Sequence, residues 1–477
     1  MIQLRVDQQC ALNAVTTALN VGDGVATGRV VIPTGGGKTF IEAAIIDFQI
    51  AAKKQTRVHL VLAPRILLAN QLIGEFRKFS GTKYRIIAFH SGHYEPEDEK
   101  IKWKETNTTK VSDVTDALIA AINCDQDLVV FSTYHSAGKL DGIHFETLIA
   151  DESQYCVSEN FNDAIKKITA NGKFFFTATE RYTASTKGRG LNNETFYGTR
   201  LYYITPAELI KLGLIVPPRL HVMHCATRSA EDSIISEVLE LAVEQDKLTR
   251  PNLDFSKILF AMKGTSDVKE IEDQSNEIHN VMPDHDICTI TSRTGAKING
   301  VKIRREDFLK EIKSRKNCLI FHYDILSEGI DVDDITGVCL MRNLGLAKLL
   351  QTIGRAVRIF KLAPEKKKQA WISVSVINGD EDDMARVKFF VEAIRNSGYD
   401  ISAEEVVETG TPKHIPDPAD VDDAYGNNAT NNFSSLFITE IIHEIEDGLY
   451  WDSINAAGDV DDRLDAFIES IDEFDEI

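Results

Sequence analysis

Two successive α/β units, each built on a parallel sheet, are the fold class this sequence predicts, and three observations predict it. Short apolar runs of strand length alternate with segments of helical apolar spacing from Val30 to Phe176, which implies a parallel sheet covered on both faces. The alternation breaks at Pro217-Pro218, residues excluded from central strands, and restarts at Ile258. A glycine-rich stretch, Pro33-Thr34-Gly35-Gly36-Gly37-Lys38-Thr39, stands between a strand-like run ending at Ile32 and a helix-like segment with Phe40, Ala43, Ala44 and Phe48 on one face. Strand, glycine turn and helix together cradle a phosphate chain with backbone N–H groups. Lys38 would then reach the terminal phosphates and Thr39 would hold Mg²⁺. The strict pattern asks for glycine where this chain has Ile32.

Composition agrees with a globular protein. The 477 residues, 43% apolar and 26% charged, suffice for roughly three domains. No run approaches the ~18 apolar residues of a membrane span, so the expectation is a cytoplasmic protein without membrane attachment. Seven scattered cysteines with no C-x-x-C pair read as reduced thiols. His221, His224 and Cys225 look metal-like, but in a strand His224 faces away from the other two.

Taken in order, Leu4-Arg5-Val6-Asp7-Gln8 opens the chain and runs into a helix with Ala11, Leu12, Val15 and Leu19 on one face. Arg5 and Gln8, three apart before a phosphate loop, are suited to an adenine edge, because Gln offers both a donor and an acceptor. Val58 to Leu62 reads as a buried strand ending in Ala63-Pro64-Arg65, with a helix over 66–79 and a strand over 85–89. From Tyr94 to Asp116 the chain turns charged and aperiodic, which reads as a surface insertion. Leu128 to Phe131 is a strand delivering Ser132-Thr133-Tyr134-His135-Ser136, and ligands gather at such strand ends. Thr147 to Ala150 ends in Asp151-Glu152: one carboxylate for Mg²⁺ and one to orient and deprotonate water. Phe174 to Phe176 ends in Thr177-Ala178-Thr179, hydroxyls placed to sense that pair.

The second unit has no phosphate loop of its own. It contributes Ser327-Glu328-Gly329-Ile330-Asp331 after a strand, and Gln351, Gly354, Arg355 and Arg358 on a helix where the two arginines share a face at i and i+3. Surface charge is one reading of that pair. The other is a pair of arginine fingers reaching across a cleft to the γ-phosphate at Lys38.

This ordered set resembles the superfamily 2 helicases and translocases over residues 1 to about 400. The resemblance implies two tandem RecA-like domains with a cleft between them, binding ATP and Mg²⁺ and acting on nucleic acid. It assigns Arg5 and Gln8 to the adenine; Thr34, Gly35, Gly36, Gly37, Lys38 and Thr39 to the phosphates; and Thr39 and Asp151 to the metal. Glu152 becomes the base, Gly329 and Asp331 lie near ribose and phosphates, and Gln351, Arg355 and Arg358 complete catalysis. Arg65, Ser132, Thr133 and Ser327 become nucleic-acid contacts, of a kind that tracks a backbone without reading sequence. Ser153 and Gln154 depart from the DEAD and DEAH spellings, so the coupling role of position 154 is open. The spelling is similar to type I and III restriction motors and to phage recombination helicases of the UvsW kind. DNA is accordingly favoured over RNA; an RNA helicase and a nucleic-acid clamp that hydrolyses ATP without unwinding are the alternatives.

The expected organisation is a first domain over 1–203, a linker over 204–220, a second domain over 221–397 and an acidic extension over 398–477. Residues 401–477 hold 21 Asp/Glu against two Lys/Arg, leaving 52 acidic and 51 basic residues in 1–400. The overall charge of -20 therefore belongs to the tail, which is expected to compete with nucleic acid or recruit a protein partner. Seven basic residues against three acidic ones between Lys302 and Lys316, and a second cluster at Lys361 and Lys366 to Lys368, are a candidate phosphate track or a solvated face.

Overall fold

The structure is a computed structural model. It describes residues 3–52, 57–92, 105–182, 188–225, 234–251, 253–291, 294–323, 332, 334–342, 344, 346–360, 364–377, 381–399 and 406–410. The described chain divides into two compact units, with the change from one to the other at Ile204 and Thr205.

The first unit opens with α1 (Val6–Val21), β1 (Ala26–Val31) and α2 (Lys38–Ala51). Next come β2 (Val58–Ala63), α3 (Ile66–Phe79), β3 (Tyr84–Phe89), β4 (Glu105–Thr108), α4 (Val111–Asn123) and β5 (Asp127–Thr133). A short α5 (Tyr134–Ala137) leads to β6 (His144–Ala150), α6 (Glu159–Lys166), β7 (Thr169–Thr177), α7 (Glu194–Tyr197) and β8 (Thr199–Tyr203). Eight strands form one sheet in the order β4-β3-β5-β2-β6-β7-β1-β8, every neighbouring pair parallel. Phe174, Phe175 and Phe176 alternate between its faces, and all three are fully buried, so both faces are covered. Burial of each such ring contributes on the order of 1.5–3 kcal/mol.

Of the expected insertion over 94–116, residues 94–104 lie outside the described residues, and the rest is corrected by β4 and α4. Val111, Val114, Ala117, Leu118 and Ala121 pack on the core at helical spacing, a period that the charged residues between them obscure.

The second unit begins with α8 (Pro206–Lys211), capped by Thr205, and β9 (Pro218–Cys225). It continues through α9 (Ile234–Thr249), β10 (Ser256–Ala261), α10 (Thr265–Asp273), α11 (Ser275–Val281) and β11 (Asp286–Thr291). After the hairpin of β12 (Gly295–Ile298) and β13 (Val301–Ile303) come α12 (Arg305–Ser314), β14 (Asn317–His322), β15 (Gly337–Leu340) and α13 (Leu346–Ala356). The unit closes with β16 (Ala370–Ile377), α14 (Glu381–Asn396) and β17 (Val407–Gly410). Its nine strands run in the order β13-β12-β11-β14-β10-β15-β16-β9-β17. They are parallel from β11 to β17, while the hairpin adds two antiparallel strands at one edge.

Two boundary expectations shift. Pro218 starts β9 and pairs with Ala370 beyond the stretch that β17 covers, where a missing N–H costs no ladder bond on that side. The sheet also runs past 397, because β17 adds to β9 and bonds its histidines: His221 Nε2 lies 2.7 Å from Thr409 Oγ1 and His224 Nε2 2.9 Å from Glu408 Oε2. These bonds leave the two histidines on opposite faces, and no metal-binding cluster of three or more ligands is found among the described residues. No described helix is long and apolar enough to cross a membrane.

Candidate nucleotide-binding site

The site forms where β1, β7 and β6, adjacent in the first sheet, end at the same edge. The glycine stretch leaves β1 and turns directly into α2, whose first residue is Lys38. Gly37 caps that helix at φ +82°, a left-handed conformation, and a Cβ there would meet Gln8 Nε2 at 2.4 Å. Glycine is thus required at this position for backbone conformation, and a Cβ there would displace the Gln8 amide. The Gly36 carbonyl accepts from Arg5 Nη2 at 2.7 Å, and Gln8 Oε1 accepts from the Arg5 N–H at 3.1 Å. Arg5 and Gln8 are therefore seated beside the loop, with Gln8 buried. Thr39 follows Lys38 in the first turn of α2, and Thr34 and Gly35 lie in the turn itself.

β6 delivers the two carboxylates. Asp151 is buried, and Glu152, at φ +51°, turns its chain sharply and places its carboxylate 3.6 Å from Lys38 Nζ. Burial, and then the neighbouring Glu152 charge, push the Asp151 carboxyl up to about 7. Glu42, one turn after Lys38 on α2, is fully buried; its burial and the Asp151 charge hold its carboxyl well above the usual range. Three acidic groups around one lysine create a demand for further positive charge, which suits a magnesium ion held by one carboxylate and by phosphates.

A chain of hydrogen bonds leads away from Glu152. Its Oε2 accepts from Gln154 Nε2 at 3.0 Å. The Thr177 hydroxyl is shared between Gln154 Oε1 at 2.7 Å and the Thr179 carbonyl at 2.6 Å. The role of position 154, open in the sequence, is thus a bridge between the carboxylate pair and Thr177 to Thr179. Glu180, next in sequence, is held by buried Arg29 at 2.6 Å, which fixes the far end.

Ser132 and Thr133, expected at a nucleic-acid surface, are buried. The Ser132 hydroxyl is shared between the Phe89 and Thr133 carbonyls, and Thr133 Oγ1 accepts from Ser136 N at 3.3 Å to cap α5. Both side chains therefore face the interior of the unit, with their oxygens engaged there. Tyr134, which the sequence reading passed over, donates from its buried hydroxyl to the Asp151 carbonyl at 2.5 Å. Arg65 is half-buried at the carboxyl end of β2, immediately before α3.

In the second unit Gln351 and Arg355 are buried on α13. Arg358 departs from expectation: α13 ends at Ala356, and Arg358 pairs in an isolated antiparallel bridge with Ile215. The two arginines therefore do not share a helical face. Val216 N donates to the Val357 carbonyl at 2.8 Å and draws the chain off the helix axis. Ser327, Gly329 and Asp331 lie outside the described residues, as does the tail from residue 411.

The basic cluster over 302–316 is partly neutralised by the unit's own acids. Arg304 pairs with Asp307 at 2.7 Å, Arg315 with Asp286 at 2.7 Å and Lys316 with Asp254 at 3.6 Å.

Comparison with known proteins places this geometry in a family context. Residues 1–181 match the family model described as type III restriction enzyme, res subunit. No curated protein sequence matches. Among solved structures, the chain is similar to the ATP-dependent type ISP restriction-modification enzyme LlaBIII bound to DNA, at TM-score 0.64 and 15% identity over 92% of this chain and 33% of that one. It is also similar to a putative HsdR subunit fragment of a type I restriction enzyme from Vibrio vulnificus, at TM-score 0.51 and 15% identity over 85% and 68%. A third is Mss116p bound to single-stranded RNA and AMP-PNP, at TM-score 0.52 and 15% identity over 85% and 78%. The chain spans about a third of the LlaBIII chain. These findings bear out the resemblance to restriction-type motors and the fold of two RecA-like α/β units. At the level of fold they do not separate the chain from DEAD-box proteins.

Proposed function

We propose that the chain is an ATP-driven motor that tracks DNA, hydrolysing ATP with Mg²⁺ at the glycine loop of the first unit. One observation carries the reading: Lys38, Glu152, Gln154 and Thr177 form a continuous relay from the phosphate loop to the end of β7. A loop that merely joined strand to helix would have no use for a carboxylate pair, one member buried, wired to two further strand ends. In this scheme the loop N–H groups and Lys38 hold the triphosphate, Thr39 and Asp151 hold the metal, and Glu152 orients and deprotonates the attacking water. Bound metal supplies charge compensation to the phosphates and to the acidic cluster. Gln351, Arg355 and Arg358 act on transition-state charge, Ser327, Gly329 and Asp331 serve the second unit's contacts, and Arg65 contacts nucleic-acid phosphate.

The restriction-type family match favours duplex DNA as the track. The DEAD-box fold neighbours favour a second reading, an RNA-stimulated ATPase. Steady-state ATP hydrolysis with forked DNA, single-stranded DNA and RNA separates the two. We expect tenfold or greater stimulation by DNA and loss of turnover in Lys38→Ala. Stimulation by RNA alone selects the second reading, and turnover that survives Lys38→Ala overturns the site.

A further inference from the structure

Lys367 is a buried lysine with an unusual set of partners. It is 4% exposed, and its Nζ donates to the carbonyls of Ile335 at 2.6 Å, Arg358 at 2.8 Å and Ala356. Three ammonium hydrogens meet three backbone acceptors. Ala356 is the last residue of α13, so one acceptor is an orphan carbonyl of a helix C-terminus, where the helix dipole also favours a cation. The Phe360 ring lies 4.8 Å from Nζ and offers its face to the same charge. Burial pulls the lysine down to about 7, with the Asp334 charge opposing the shift and the Arg358 charge adding to it.

The carbonyls belong to the segment that carries the arginine pair. From the other side, Val216 N holds the Val357 carbonyl at 2.8 Å, and Ile215 bridges Arg358. Three successive residues, Ala356 to Arg358, thus have their backbone pinned, two of them by one lysine.

The geometry points to Lys367 as a positioning residue for hydrolysis: its ammonium fixes the backbone carrying Arg355 and Arg358, so guanidinium placement depends on a side chain buried in the second unit. The inference rests on the reading that these arginines act on the triphosphate. A misplacement of about 1 Å at such a group costs on the order of 10²-fold in rate without abolishing binding. Lysine is specified over arginine because three convergent carbonyls suit a compact ammonium and not a planar fork.

The test compares full-length Lys367→Met, Arg358→Ala and the double variant by kcat, ATP KM, affinity for a fluorescent ATP analogue, and melting temperature. Lys367→Met is expected to melt cooperatively, bind the analogue within threefold of the parent and lose at least tenfold in kcat. The double variant is expected to lose less than the product of the two single losses, because Lys367 acts in part through Arg358. Parental kcat in a folded Lys367→Met, or an additive loss in the double variant, overturns the inference. Parental turnover in Arg358→Ala instead overturns the arginine reading, and this inference with it. Should Lys367→Met fail to fold, Lys367→Arg keeps the charge but not the fit to three convergent carbonyls and is expected to give the same kcat-only loss. Unchanged turnover there overturns the inference equally.

Discussion

Gln154 shows what a single position can hide. Its spelling departs from DEAD and DEAH, yet its amide spans Glu152 and Thr177 with one donor and one acceptor. The sequence names the residue but not that both ends of the amide are used. His221 makes the same point through charge. It is fully buried between Ser373 and Thr409, and burial pulls its pKa from 6.5 to about 4. Between those values the unfolded chain binds the proton and the folded one does not, so stability falls as pH drops from 6.5 toward 4. The full loss is on the order of 3 kcal/mol. Urea titrations at pH 7 and pH 4.5 are expected to show this loss in the parent and a flatter response in His221→Gln; equal slopes in the two proteins would remove His221 as the cause.

Elements were legible where period and burial agree. The helix over 66–79 follows its apolar spacing, and the strands ending at Thr133, Ala150 and Thr177 follow their apolar runs. The phosphate loop and the carboxylate pair were readable because short motifs at strand ends carry their own geometry. Glu42 and Tyr134 were not, since their partner, Asp151, is 109 and 17 residues away. The β12–β13 hairpin has a local signal in Asn299-Gly300, both with positive φ, a two-residue turn that the short strands on either side make easy to miss. β17 had none: four residues ending at a glycine become a strand only because β9 offers an edge. That edge predicts how truncations behave. A chain ending at Gly410 keeps β17, whereas one ending at Tyr399 loses two side-chain hydrogen bonds and the pairing over His221 to His224. The shorter chain is expected to be less stable by roughly 2–4 kcal/mol, from about 1 kcal/mol per hydrogen bond plus cross-strand contacts. Superimposable thermal melts for the two truncations would show that β17 contributes nothing.

For the molecule as a whole, charge is the property that composition reveals and structure redistributes. Residues 1–400 are nearly neutral, and part of their basic cluster is already paired with Asp254, Asp286 and Asp307. Fewer cations are then available to release counterions from a nucleic-acid track than the sequence count suggests, so the salt slope of binding is expected to be shallow. Against that small attraction stands a tail in which residues 411–477 carry 18 Asp/Glu and two Lys/Arg. Its repulsion acts over a Debye length, about 10 Å at 0.1 M salt and about 3 Å at 1 M. Removing residues 411–477 is therefore expected to tighten DNA binding about tenfold near ~50 mM salt and to leave it unchanged near ~1 M, a contrast that screening demands. Fluorescence anisotropy with a labelled duplex measures both limits. A gain that persists at high salt would mean that the tail blocks the track by contact rather than by charge, and no gain at either salt would mean that it does not compete.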